Sequence, residues 1–171
     1  MNNPLLADVT LPAFSKILPE HVEPALDTVL QQAKQTVADL LDSTETPSWQ
    51  SLVIPMEEVD ASIHQVWSPV SHLNSVMNSD ALRVAYNACL PKLSKFSTEL
   101  GQNEDLYKAY KTLADSEQYQ LLDIAQKKVI DNAVRDFRLS GVELSQSDRD
   151  EFKEISQSLT ELTAKFEENV M

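Results

Sequence analysis

Glycine is nearly absent from this chain: Gly101 and Gly141 are the only two in 171 residues. Sheets joined by tight turns need more positions with positive φ than that, so a hairpin-rich architecture is excluded and an all-helical one is left. Cysteine is scarcer still. With Cys89 alone, no disulfide can form within the chain, which fits a reducing compartment. Basic charge is also short: 14 Lys and Arg stand against 27 Asp and Glu, a formal net charge of −13. No basic face is on offer for the phosphates of nucleic acid or for an anionic membrane, and neither is expected as a partner. No apolar run approaches the ~20 residues of a membrane span. Met1-Asn2-Asn3-Pro4 lacks the basic and then apolar order of a signal peptide. A cytoplasmic protein is the resulting expectation.

Acid is what the chain has in excess, and it carries two readings. One is solubility. The other is acid on a channel wall, which would attract cationic ligands. The hydrophobic fraction of 42% is ordinary for a globular domain, and a chain of this length can bury a sizeable core.

The apolar residues recur at steps of three and four almost throughout, the period of one helix face. Six to seven mostly antiparallel helices are predicted. Residues 1–18 read as an extended arm, broken by Pro4 and Pro12 and closed by Pro19, with Leu5, Leu6, Val9, Leu11, Phe14, Ile17 and Leu18 to bury. The helical domain, 19–171, begins with a helix over 20–42 whose stripe is Val22, Leu26, Val29, Ala33, Val37 and Leu40. Ser48 caps a short helix over 49–53. A seam of Met56, Val59, Ile63, Val66, Val70, Leu73 and Met77 follows, and Pro69 should kink it near Gln65. Ser79 caps a helix over 80–100, with Pro91 as a second kink and Gly101 at its end. Asn103 caps a short helix to Ala114. One long helix is then predicted over 117–139, with Leu122, Ala125, Val129, Ala133 and Phe137 inward and Lys127, Asp131 and Arg135 forming an ion-paired outer face. Ser145 or Ser147 caps the last helix, each with an Asp three residues on. Its stripe of Phe152, Ile155, Leu159, Leu162, Phe166 and Val170 runs to the final residues without a stop signal. The domain is therefore expected to be truncated within its last helix, which should fray or self-associate.

Signatures of chemistry are few. His21, His64 and His72 belong to no His-Glu-x-x-His. Glu57, Asp60 and His64 share one helix face at spacings of three and four, where two carboxylates and an imidazole could reach one metal ion or simply form a wet flank. Cys89 lies on a stripe with Leu82, Tyr86, Leu93 and Phe96 and reads as a core thiol rather than a nucleophile. The stretch Val66-Trp67-Ser68-Pro69-Val70-Ser71-His72-Leu73-Asn74-Ser75-Val76 is either a kinked core helix or a peptide or domain contact. No catalytic, cofactor-binding or metal-binding residue is assigned.

These same stretches carry a family resemblance. Asn3-Pro4-Leu5-Leu6, Phe14-Ser15-Lys16-Ile17-Leu18-Pro19-Glu20-His21-Val22, Trp67 to Val76, Gly101-Gln102 with Leu106-Tyr107-Lys108-Ala109-Tyr110, and Ala125 to Phe137 with Leu139-Ser140-Gly141 occur in order. Together they resemble the N-terminal region of bacterial members of the thimet oligopeptidase and neurolysin family of zinc metallopeptidases. The resemblance covers essentially the whole chain. It implies a larger, two-lobed helical enzyme that hydrolyses short peptides in a narrow channel. One zinc is implied for that full-length protein, held by His-Glu-x-x-His and a later Glu, with the motif Glu as general base. None of these elements maps onto a position here. The resemblance thus implies a fragment that helps wall the channel, with the rest of the peptidase as its partner. A stand-alone helical interaction module is the alternative.

Overall fold

The computed structural model describes residues 3–7, 9–43 and 45–170. Met1, Asn2 and Asp8 of the expected arm, Thr44 of the first loop, Met171 of the last helix and the side chain of Glu168 lie outside the described residues. Seven α-helices account for most of the chain, and no strand occurs among the described residues. They are α1 (Pro19–Asp42), α2 (Ile54–Val76), α3 (Asp80–Gly101), α4 (Glu104–Ala114), α5 (Glu117–Leu121), α6 (Ile124–Leu139) and α7 (Gln146–Val170). A π-helical turn, Trp49–Val53, leads directly into α2.

Local chemistry explains most of the boundaries. The Ser48 hydroxyl accepts from the N–H of Ser51, that of Ser79 from Leu82, and the Asn103 carbonyl from Asp105 and Leu106. For α7 the cap is Ser145, which accepts from Asp148 N–H and donates back to its carboxylate at 2.8 Å. His21 closes the start of α1 by accepting from Leu18 N–H through Nδ1. The two glycines do different work. Gly141, at φ +86°, is in the left-handed region and ends α6. Gly101 needs no unusual φ, but a Cβ there would lie 2.7 Å from Ser140 Cβ, so it lets the ends of α3 and α6 touch.

Two departures from expectation have clear causes. The helix predicted over 117–139 is two helices, because Leu122 and Asp123 are extended. Asp123 accepts from Gln126 N–H at 2.8 Å while the Gln126 side chain accepts from Asp123 N–H at 3.1 Å, a reciprocal cap that starts α6 afresh. The break re-phases the inward face. Ile130 is fully buried, whereas Ala125 is exposed. The expected ion-paired ladder does not form either. Lys127 donates to the Gln120 carbonyl, Asp131 accepts from the Tyr119 hydroxyl, and Arg135 pairs with Asp136. Asp123→Ala should cost about 1 kcal/mol, read as a lower urea midpoint with an unchanged m-value.

Helical backbone continues on both sides of Pro69 in α2 and of Pro91 in α3, and each ring leaves the preceding turn without one N–H donor, the lost hydrogen bond expected there. Pro69 is buried and packs as a core residue.

Two apolar clusters hold the chain together. The first joins α1, α2 and α3 around Val22, Leu26, Val66, Val70 and Cys89, and takes Leu5 from the N-terminal segment. The second joins α4 and α6 with Val37, Leu52 and Val53. Leu100 packs against both. The N-terminal segment forms two 3-10 turns, Pro4–Leu6 and Phe14–Lys16. It is seated by Leu5, by Asn3 donating to the His21 carbonyl, and by Phe14 against His72. Val9 and Leu11 stay exposed.

Candidate functional site

The three residues singled out for metal chemistry sit on one face of α2, as their spacing requires. Their surroundings differ. His64 is exposed and lies along the helix, with Nδ1 3.2 Å from the Asp60 carboxylate and 3.0 Å from its carbonyl. Glu57 and Asp60 instead line a cavity of about 350 Å³ between α2, α3, α4 and α6. His21 caps α1 and His72 meets Phe14, so the three histidines are dispersed. No cluster of His, Cys, Asp and Glu among the described residues is arranged to hold a metal ion.

The cavity has a definite chemical character. Its apolar surface comes from Met56, Leu106, Ala133 and Phe137, and its rim carries the carboxylates of Glu57, Asp60 and Asp136. No Lys, Arg or His lines it. Glu57 has no ion-pair partner among the described residues. Asp136 is held by Arg135, which donates through Nε and Nη2 at 2.9 and 2.7 Å. Tyr110, from α4, enters this wall with its ring 5.6 Å from that of Phe137. It is only 5% exposed, but among the described residues the buried side-chain atoms left without a partner are Asn74 Oδ1, Asn132 Oδ1 and Arg149 Nε, and its hydroxyl is not one of them. Burial first, and the nearby Glu57 carboxylate second, push the phenol far above its ordinary pKa, so it stays protonated.

Sequence reasoning placed Glu57 and Asp60 on the right face but did not single out Tyr110. The signal was faint: α4 is short, and its buried Leu106, Tyr107, Tyr110 and Leu113 show a helical period only over three turns. The other tyrosine is structural. Tyr107 donates to Glu143 at 2.6 Å and accepts from Arg138 Nε at 3.0 Å, fastening α4 to the chain beyond α6.

The remaining candidates are structural in this fold. Cys89 is fully buried, and burial above all pushes its thiol up to about 11, leaving no thiolate at neutral pH. In the Trp67–Asn74 stretch, Trp67 stacks on Tyr86 of α3 at 4.7 Å, and Val70, Leu73 and Asn74 are buried. The last helix is the least conventional element. It meets α3 along Phe152, Ser156, Thr160 and Ala164, with Lys153 to Glu99 at 3.6 Å and Thr160 to Ser94 at 3.3 Å, and it reaches α4 through Arg149 to Glu104 at 2.7 Å. Ile155, Leu159, Leu162, Phe166 and Val170 are 59–70% exposed.

A family model described as Neurolysin/Thimet oligopeptidase, N-terminal domain, matches residues 26–149. Over its whole length the chain is 47% identical to oligopeptidase A of Escherichia coli and 44% identical to that of Haemophilus influenzae, covering 25% of each. It is 34% identical, over 99% of its length, to a probable cytosolic oligopeptidase A of Arabidopsis thaliana, of which it covers 24%. The chain thus spans about a quarter of the length of these curated relatives. No helix among the described residues is long and apolar enough to cross a membrane.

Proposed function

Because the chain belongs to the neurolysin and thimet oligopeptidase family, we propose that it serves as the N-terminal domain of a cytoplasmic zinc oligopeptidase that hydrolyses short peptides. The observation that carries this reading is identity of 44–47% from end to end to bacterial proteins named oligopeptidase A, of which the chain spans a quarter. In this role the domain helps wall the substrate channel and contributes no catalytic group.

The described residues do not fit the zinc that the family implies. Zinc needs three or four N, S or O ligands converging within about 2–2.3 Å. Here the histidines cap a helix, lean along α2 or contact Phe14, and the one thiol is buried and protonated. The ligands and the general base therefore belong to the remainder of the proposed peptidase.

Elemental analysis after dialysis, with a peptide-hydrolysis assay, tests this division. The chain alone is expected to hold substoichiometric zinc and to cleave nothing, and the complete polypeptide to hold one zinc and to hydrolyse peptides. One zinc per chain, lost on His64→Ala, would overturn it.

A further inference from the structure

We propose that α7 is a hinged strap: it swings away from α3 as one helix about the Leu144–Ser145 link, and an ionic latch on Glu99 and Glu104 holds it docked. Three observations converge on this device. The helices α1, α2, α3, α4 and α6 each bury side chains, whereas no residue of α7 is buried among the described residues. The junction of α7 with α3 is loosely packed. A cavity of about 520 Å³ lies there, lined with the hydroxyls of Ser94, Ser97, Ser156 and Thr160 beside Phe152 and Leu159. A space that large and that polar takes water, so the close apolar contact that fastens the other long helices is sparse here. What bridges α7 to its neighbours is polar: Lys153 to Glu99 at 3.6 Å, Arg149 to Glu104 at 2.7 Å and Thr160 to Ser94 at 3.3 Å.

The pivot follows from what stays fixed. Val142 is buried, Glu143 accepts from the Tyr107 hydroxyl at 2.6 Å, and Leu144 N–H donates to the Gly141 carbonyl, so the chain is anchored that far. Ser145 caps α7 through Asp148 N–H and moves with it. The latch is built to open without stranding charge. Glu99 also pairs with Lys34 of α1 at 3.2 Å and with Lys95 at 3.8 Å, so it loses one lysine of three when α7 leaves. Glu104 lies in the first turn of α4, where the helix dipole steadies a carboxylate that has lost its arginine. The hydroxyls of Ser156 and Thr160 already face a polar space, so water replaces little. Elements with few buried contacts are the ones that open below the global unfolding free energy. The device is independent of the proposed peptidase role, because all of these groups lie within the chain.

Native-state hydrogen exchange of the chain, at a concentration where sedimentation shows a monomer, tests it. The amides from Phe152 to Phe166 should exchange as one unit, at least about tenfold less protected than those of α1. Raising NaCl from about 0.1 M to about 1 M, which shortens electrostatic range from about 10 Å to about 3 Å, should increase the opening of α7 severalfold and leave α1 unchanged. Glu99→Gln and Lys153→Met should each raise that opening about twofold to fivefold, and the double variant no further than the larger single effect, because both remove the same pair. Glu154→Gln, an exposed carboxylate on α7, should not raise it. Protection that falls smoothly from Arg149 towards Val170 would mean fraying rather than a swing. Protection equal to that of α1 would mean that α7 leaves only when the whole chain unfolds. Opening that neither salt nor the two variants change would mean that no ionic latch exists. Any of these three results would overturn the proposal.

Discussion

Replacing Leu26 with Ala is expected to destabilise the chain by about 3 kcal/mol, a large share of the ~5–15 kcal/mol that holds a typical domain together. Leu26 is fully buried at the centre of the α1–α2–α3 cluster, among Val22, Val66 and Val70, which are themselves no more than 2% exposed. Deleting its isobutyl group loses the transfer free energy and leaves a void that packed helices close only in part. Leu113→Ala, at an equally buried site in the α4–α6 cluster, should cost a similar amount. The pair also tests whether the two clusters unfold together. Val37 extends α1 into the second cluster, and Leu100 packs against both. One cooperative urea transition, lowered by either substitution and lowered additively by both, is therefore expected. Leu121→Ala, where the side chain is 87% exposed, should change stability by no more than about 0.5 kcal/mol. Two transitions, each sensitive to only one of the core variants, would show that α1 and Leu100 do not couple the clusters.

The residues of that first cluster were legible in the sequence because the information is local and periodic. Val22, Leu26, Val29, Ala33, Val37 and Leu40 fall on one face of a helix that starts near Pro19; the first five are buried and Leu40 is only half-buried. The caps were legible for the same reason: Ser48, Ser79 and Asn103 act on backbone N–H groups two or three residues away. The break before α6 escaped because apolar residues stay nearly in step across it, Leu122 with Val129 and Ala133. Its signal was present nonetheless in the Asp123-x-x-Gln126 spacing, a capping box inside what looked like one helix. What no periodicity could supply is tertiary. Glu57 and Asp60 share a face of α2 by spacing alone. Their opposition to Tyr110 and Asp136 depends on how α4 and α6 cross that face.

The last helix shows the same limit most sharply, because its apolar stripe is plain in the sequence while the neighbour it faces is not. Amphipathicity tells which side of a helix avoids water. It does not tell which neighbour is present. In this chain α3 holds the side bearing Ser156, Thr160 and Ala164, and the stripe from Ile155 to Val170 faces outward. The domain match ends at residue 149, within the first turn of α7. Monomers rarely leave a contiguous apolar patch of more than a few hundred Å² bare, and at about 25 cal/mol per Å² covering one is worth several kcal/mol. Leu159→Glu with Phe166→Glu should therefore behave oppositely in two contexts. In the chain alone both side chains are at least 63% exposed, so the change should leave stability within about 0.5 kcal/mol, and it should abolish the self-association expected of the unsubstituted chain, read by sedimentation. In the complete peptidase proposed above, where the remaining polypeptide would cover the stripe, two buried carboxylates should cost several kcal/mol and separate the N-terminal domain from the rest, read as protease sensitivity near α7 and lost peptide hydrolysis. If the double variant instead leaves the complete enzyme as stable and active as before, the stripe faces solvent there too, and α7 is held by its contacts to α3 and α4 alone.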